Sequence, residues 1–276
     1  VKGFDPDIIV FDGTFVYRGI VESSARYQKP LVWIQRGCWR DEVRRASSQV
    51  NFADKFVDEI IIPRDVAVSE DTHAQGRIVP RQVDPLSVVA EDDLLTRPAA
   101  REALGLPASG KLFLIQIGAG VINDISDVRV AALRAVEKLG GDWEPVLVQN
   151  PLNVSVSAEG VHSVQAYPLA RYLNAFDAAV FAAGYNSVQE SVIAKLPAVF
   201  IPNLNTKTDD QLKRARGMAE RQLGLMSLNA DELGESISRL GDEDFREELK
   251  ERLMHASFLP GARQAADMIT QIAAES

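Results

Sequence analysis

The stretch Phe181-Ala-Ala-Gly-Tyr-Asn-Ser-Val-Gln-Glu190 ends an apolar run, passes through three small residues and enters a helical pattern. The run Ala178–Phe181 reads as a strand, and the pattern Ser187–Ala194 as a helix. Ala182, Ala183 and Gly184 let a ligand approach the backbone closely. The N–H groups and positive dipole end of the helix then favour an anion such as a diphosphate. Asn186 and Ser187 are good N-cap types. Glu190 lies about one turn beyond Ser187, where its carboxylate can accept hydrogen bonds from two ribose hydroxyls. Ser187 with Glu190 also fits a capping box, S-x-x-E. At this point both readings stand.

The same strand–turn–helix rhythm runs outward along the chain. Further strands are expected at Ile8–Phe11, Leu31–Ile34, Glu59–Ile62, Leu112–Gln116, Pro145–Val148, Ser163–Gln165, Ala198–Ile201 and Leu225–Ser227. Several are continuous Val/Ile/Leu/Phe runs, as in strands buried on both faces, so the sheets should be parallel with helices on each side. Helical patterns fall at Val16–Tyr27, Arg40–Val50, Ala99–Leu104, Ile125–Leu139, Leu169–Ala175 and Asp209–Gln222. The tail carries three more, Asp231–Leu240, Asp244–His255 and Gly261–Ala274. This alternation argues for an α/β fold with doubly wound layers. The Pro-, Asp- and Arg-rich stretch Arg64–Ala99 breaks the rhythm, and an interdomain connection is expected within it, near Val79–Thr96. The expected organisation is 1–95, 96–257 and a last helix, 258–276, that returns to the first domain. The chain opens on Val1 and enters a buried-looking strand almost at once, which reads as a first domain lacking its N-terminal part.

Composition narrows the function. The 276 residues are 46% hydrophobic and 25% charged, with a formal net charge of -9, which suits a soluble globular protein and argues against a nucleic-acid partner, whose binding surfaces are usually basic. The single cysteine, Cys38, excludes an internal disulfide and fits a reducing compartment. Cys38 reads as a packed thiol, and Tyr17 and Trp143 as apolar packing. His73, His162 and His255 have no metal-ligand spacing, so no metal is expected.

In open α/β sheets ligands bind beyond the carboxyl ends of the strands. Two further segments occupy such places. Gly118-Ala119-Gly120 follows a strand and precedes a helix, with the layout of a phosphate-approaching loop, although it lacks the third glycine of a GxGxxG pattern and the lysine of a P-loop. Asp210-Gln211 ends the loop after Ile201 and offers acceptors and donors suited to sugar hydroxyls; Asp209 or Asp210 equally suits a helix cap.

Taken in order, these segments resemble a known family. Gly184-Tyr185-Asn186-Ser187-x-x-Glu190, then Ala194-Lys195-Leu196-Pro197, Pro202 and Asp210-Gln211 are similar to the donor signature of GT-B nucleotide-sugar glycosyltransferases, which reads G-W-N-S-x-x-E, A-x-x-P and D-Q in the plant-type enzymes. The wider layout resembles the peptidoglycan-precursor N-acetylglucosaminyltransferase and UDP-glycosyltransferase group. The resemblance implies two Rossmann-like parallel-sheet domains facing across a cleft, the first incomplete. It implies inverting, metal-independent transfer from a nucleotide diphosphate sugar, UDP-linked by preference, with no separate cofactor.

Residue by residue, the resemblance places Gly118, Ala119 and Gly120 near the donor phosphates. Tyr167 and Leu169 border the nucleobase, Gly184, Tyr185, Asn186 and Ser187 hold the diphosphate, Glu190 binds the ribose, and Asp210 and Gln211 touch the sugar. The acceptor stays unknown, with a lipid-linked one among the candidates, and the expected location is cytoplasmic, with peripheral contact at the inner face of a membrane. Two departures stand out: Ala182 occupies the place of the plant-type histidine, and Tyr185 that of the tryptophan. No segment matches the family's acceptor-side glycine loop or catalytic base.

On the acceptor side, Asp12 reads as a surviving acid/base group or as a turn aspartate before Gly13. Arg36 reads as a phosphate contact or a structural ion pair. The basic run Arg36–Arg45 reads as a membrane-docking surface or a solvated helix face. Two other functions stay open at this stage: a nucleotide-sugar hydrolase on the same scaffold, and a donor-binding subunit that needs a partner chain.

Overall fold

The computed structural model describes residues 3–69, 74–118, 126–149 and 160–275. The chain divides into two compact units, one comprising Val1–Ser87, Thr206–Asp210 and Leu259–Ser276, the other Val88–Asn205 and Gln211–Phe258.

The first unit runs β1 (Ile9–Asp12), α1 (Arg18–Tyr27), β2 (Leu31–Ile34), α2 (Asp41–Ala46), α3 (Ser48–Asn51), β3 (Glu59–Pro63) and β4 (Arg81–Val83). Among the described residues its sheet has the order β1-β2-β3-β4, all parallel. Side chains alternate across it with the two-residue period of a strand. Leu31, Trp33 and Ile60 pack on one face with Val16 and Val50, while Val32 and Ile61 pack on the other with Val83, Ala265 and Ile272.

Two sequence expectations need correction here. The helical pattern Arg40–Val50 is two helices. They part at Ser47, which is extended and whose Oγ accepts from the Val50 N–H at 3.3 Å, the local competition by which serine interrupts a helix. The stretch Val79–Thr96 also contains a strand, β4, between Pro80 and Pro85. It lies at the edge of the sheet, where flanking prolines cost no ladder hydrogen bond.

The second unit runs α4 (Arg97–Leu104), β5 (Lys111–Gln116), α5 (Ser126–Leu139), β6 (Trp143–Val148), β7 (His162–Val164), a 3-10 helix (Leu169–Ala175), β8 (Ala178–Ala182), α6 (Tyr185–Ile193), β9 (Ala198–Ile201), α7 (Gln211–Glu220), β10 (Leu225–Met226), α8 (Ala230–Gly241) and α9 (Glu243–His255). Among the described residues its six strands are all parallel, in the order β10-β9-β8-β5-β6-β7. β5, β8 and β9 are buried along most of their length, which explains their unbroken apolar runs.

Local signals set the helix ends. α4 carries Pro98 in its first turn and stops at Gly105, in the left-handed region at φ 66°, where glycine avoids the strain of a Cβ. Asn229 and Asp242 cap α8 and α9 through their side chains. Arg101 of α4 is fully buried and donates to the carbonyls of Ala175, Pro107, Ala108 and Gly110 and to Asp177. Burial, and then the nearby Arg97, pull its pKa below the usual arginine value, while Asp177 and Glu144 oppose them.

The last helix, α10 (Ala262–Glu275), belongs to the first unit. Ala265, Met268, Ile269 and Ile272 cover the face of the sheet that carries Val32 and Ile61. Its entry at Gly261 leaves no room for a side chain: a Cβ there would sit 2.1 Å from the Asp84 carbonyl oxygen.

Candidate functional site

In the second sheet the first strand of the unit, β5, lies between β6 and β8. The chain builds outward from β5 in one direction and then, from β8, in the other. At such a reversal the two flanking helices diverge and leave a crevice at the carboxyl ends of the central strands. Gln116 is paired with Phe181 across β5 and β8, so the segments entering at Gly118 and Gly184 leave the sheet side by side. Gly118 has φ 77° and open space around its Cβ position, so the backbone conformation is what demands glycine there. Ala119 and Gly120 lie outside the described residues.

α6 begins earlier than the sequence suggested. Its N-cap is Gly184, in extended conformation, and the first ladder hydrogen bond runs from the Val188 N–H to the Gly184 carbonyl at 3.2 Å. Ser187 therefore lies within the first turn, and the capping-box reading of Ser187 with Glu190 does not hold. A glycine cap offers no side-chain oxygen to the N–H groups of Tyr185, Asn186 and Ser187, which precede the ladder. The crevice end of this helix thus has the chemistry of an anion site.

Glu190 sits one turn further along α6 and is partly buried. Among the described residues its carboxylate forms no side-chain hydrogen bond or ion pair, and burial pushes its pKa up to about 7. A desolvated carboxylate gains strongly from any donor brought to it. Hydroxyl groups of a ligand bound against the helix start can be such donors.

The structure also adds a residue that the sequence reading passed over. Arg214 of α7 is fully buried, its guanidinium donates to the Ala183 carbonyl at 3.0 Å, and it lies 6.0 Å from the centroid of the Tyr185 ring. The available signal was its spacing: three residues after Gln211, it shares one face of α7.

The remaining candidates fall in different places. Tyr167 is 93% exposed, whereas Leu169 is buried at the start of the 3-10 helix. Both follow β7, two strands from β5, about 10 Å across the sheet. Asp210 belongs to the first unit and Gln211 to the second. The Asp210 N–H donates to the Cys38 carbonyl at 2.5 Å, beside an antiparallel bridge between Trp39 and Asp209. α7 begins only at Gln211, whose Oε1 accepts from the Asn203 N–H at 2.9 Å and so closes the loop after β9.

In the first unit, Asp12 and Arg36 form a two-pronged ion pair, with Nε to Oδ1 at 2.8 Å and a terminal nitrogen to Oδ2 at 2.6 Å. Both carboxylate oxygens are engaged, so the ion-pair reading of Arg36 holds, with Asp12 as its partner, a role that neither reading of Asp12 included. Gly13 accepts from the Trp33 indole N–H at 2.8 Å, and a Cβ there would press on the Phe11 ring at 2.9 Å. In the basic run, Arg40 holds the Thr206 carbonyl and Arg45 the Asp41 carbonyl. Cys38 is buried, while Tyr17 is 70% exposed and packs edge-on against Phe11. Trp143 packs against Phe113 and under Arg246.

His162 faces Glu144 at 2.5 Å, and His73 lies outside the described residues. Among the described residues no group of three or more His, Cys, Asp or Glu side chains is arranged to hold a metal ion. No helix among them is long and apolar enough to cross a membrane.

Comparison with known proteins places this geometry in a family context. Residues 148–272 match the family described as "Glycosyltransferase family 28 C-terminal domain". Two curated relatives carry the name UDP-N-acetylglucosamine--N-acetylmuramyl-(pentapeptide) pyrophosphoryl-undecaprenol N-acetylglucosamine transferase. The one from Bacillus licheniformis is 24% identical over 272 residues, covering 91% of this chain and 69% of its own. That from Symbiobacterium thermophilum is 25% identical over 293 residues, covering 100% and 74%.

Among solved structures, Acinetobacter baumannii MurG superposes with a TM-score of 0.62 at 13% identity over 98% of this chain and 75% of its own. The glycosyltransferase VinC, solved with dTDP, gives 0.65 at 17% identity over 100% and 74%. Both likenesses are of fold. From its two parallel-sheet units and these matches together, the chain is a GT-B glycosyltransferase that resembles the peptidoglycan N-acetylglucosaminyltransferase group.

Proposed function

We propose that the chain transfers a sugar from a UDP-linked donor to a lipid-linked acceptor, with inversion at the anomeric carbon and without a metal. One observation carries the donor half of this reading: at the reversal point of the second sheet, α6 starts on a glycine cap and carries, one turn along, a partly buried Glu190 with no side-chain partner among the described residues. The N–H groups of Tyr185, Asn186 and Ser187 hold the diphosphate and stabilise the charge that develops on it as it leaves. Glu190 accepts from the ribose hydroxyls. Gly118, with Ala119 and Gly120, lets the opposite loop approach the phosphates. Tyr167 and Leu169 border the base, and Asp210 and Gln211 contact the sugar.

The acceptor hydroxyl, giving its proton to a base outside the residues named here, attacks the anomeric carbon from the face opposite the diphosphate, as inversion requires, and the bond from that carbon to the diphosphate oxygen breaks as the nucleotide leaves. Asp12 serves here as the partner of Arg36 and not as the base. The names of the curated relatives, with their UDP donor and undecaprenol-linked acceptor, support the choice of both substrates and a cytoplasmic site of action against a membrane surface. The hydrolase and donor-binding-subunit readings find no support in the matches.

Calorimetric titration of UDP, dTDP and GDP into the wild type and a Glu190→Ala variant tests the proposal. UDP should bind best, and the variant should lose about 1.5–3 kcal/mol, the scale of a charged hydrogen bond. A folded chain that binds none of the three, or binds them unchanged by the substitution, would refute it. A preference for dTDP would keep the site and overturn the choice of base.

A further inference from the structure

We infer that Arg214 is a positioning residue for the diphosphate, setting the entry of α6 through the Ala183 carbonyl; the inference rests on the donor-site reading above. Ala183, the residue before the helix cap, is held from two sides. Its N–H donates to the Ile201 carbonyl of β9 at 2.9 Å, and its carbonyl accepts from the Arg214 guanidinium at 3.0 Å. The Gly184 N–H then turns back to the Ala182 carbonyl at 2.8 Å. The peptide that aims the first turn of α6 is thus clamped by the neighbouring strand and by α7. Rigid donors are what a charge-stabilising site needs, because they do no reorganising work when the charge appears.

Arg214 is fully buried, and the Tyr185 ring lies 6.0 Å from its guanidinium carbon. In such a water-poor setting the hydrogen bond to the Ala183 carbonyl is strengthened, and the clamp persists when a ligand displaces solvent from the helix start.

The test compares wild type, Arg214→Met and Arg214→Lys by calorimetry with UDP and with uridine, or with dTDP and thymidine if the wild type prefers them. The methionine variant should bind the diphosphate about 10- to 100-fold more weakly, as for one lost charged hydrogen bond, and bind the nucleoside within about twofold of the wild type. The lysine variant should recover part of the diphosphate affinity. Equal losses for diphosphate and nucleoside would reveal a merely structural role and overturn the inference, as would diphosphate binding at the wild-type level. If Arg214→Met does not fold, the lysine variant decides. A fall in its diphosphate-to-nucleoside affinity ratio supports the inference, and an unchanged ratio overturns it. Failure of the wild type itself to bind any diphosphate would instead remove the donor-site reading, and this inference with it.

Discussion

Replacing Glu190 with glutamine should make the ligand-free protein more stable, and increasingly so as the pH rises. Burial raises the carboxyl from its ordinary 4.5 to about 7. Below 4.5 the group is protonated in both folded and unfolded chains and costs nothing. Between 4.5 and 7 the unfolded chain ionises while the folded chain keeps its proton, so the folded state loses stability with rising pH. Above 7 both are ionised and the full cost remains, about 3 kcal/mol for that separation of pKa values. Glutamine keeps the shape and carries no charge. The stability advantage of Glu190→Gln over wild type should therefore grow by about 2.5 kcal/mol from pH 5 to pH 8.

Urea unfolding of both proteins at pH 5, 6, 7 and 8 measures this directly, with equal m-values as the control for unchanged folded and unfolded states. A stability difference that stays constant across this range would refute the claim that Glu190 is desolvated in the folded chain. The same geometry makes a linked prediction for binding. Hydroxyl donors favour the ionised carboxylate, so a nucleotide should release a proton from Glu190 below pH 7, and affinity should rise as pH climbs towards 7. The calorimetric enthalpy at pH 6.5 should then depend on the ionisation enthalpy of the buffer for wild type and lose that dependence in the variant.

Other outcomes follow from single contacts. Arg101→Met strands four carbonyls that the guanidinium now satisfies, while Asp177 keeps Arg97 and the Leu112 N–H; the loss should cost about 3–5 kcal/mol in denaturant unfolding, several unsatisfied buried acceptors together, and a cost below about 1 kcal/mol would show that the network is dispensable. Gly261→Ala must push the start of α10 away from Asp84 and should destabilise by about 1–3 kcal/mol, seen as a lower Tm. Gly184→Ser meets no steric obstacle and supplies a cap oxygen, so stability should hold or rise by a few tenths of a kcal/mol. The same oxygen competes with a bound diphosphate, and calorimetry should show a weaker UDP affinity. Undiminished binding would argue that the anion does not sit at this helix end.

Much of the architecture was legible from the chain itself. Continuous apolar runs such as Leu112–Gln116 and Ala198–Ile201 announced buried parallel strands, because a strand covered on both faces has no polar side to alternate with. The turns at Gly118 and Gly184 were visible as small residues between a strand and a helix. Where local signals were mixed, the reading slipped. Ser47 divides a helical pattern by a side-chain hydrogen bond, and β4 is too short and too closely flanked by prolines to stand out. At α6 the good cap types Asn186 and Ser187 drew the expected helix start too far along, whereas packing lets Gly184 take the cap.

The sequence by itself determined the periodic elements and the small-residue loops, since these follow from side-chain spacing and backbone freedom within a few residues. Only the tertiary structure decided which loops become neighbours. β5 lies beside β8 although more than sixty residues separate them, and that adjacency brings Gly118 next to Gly184. It also decided that Asp12 answers Arg36, that Thr206–Asp210 joins the first unit, and that Arg214 is buried behind Ala183. Each of these depends on groups distant in the chain meeting at a few ångströms, and the energies that select them, desolvation and directed hydrogen bonding, are defined only once the partners are in place.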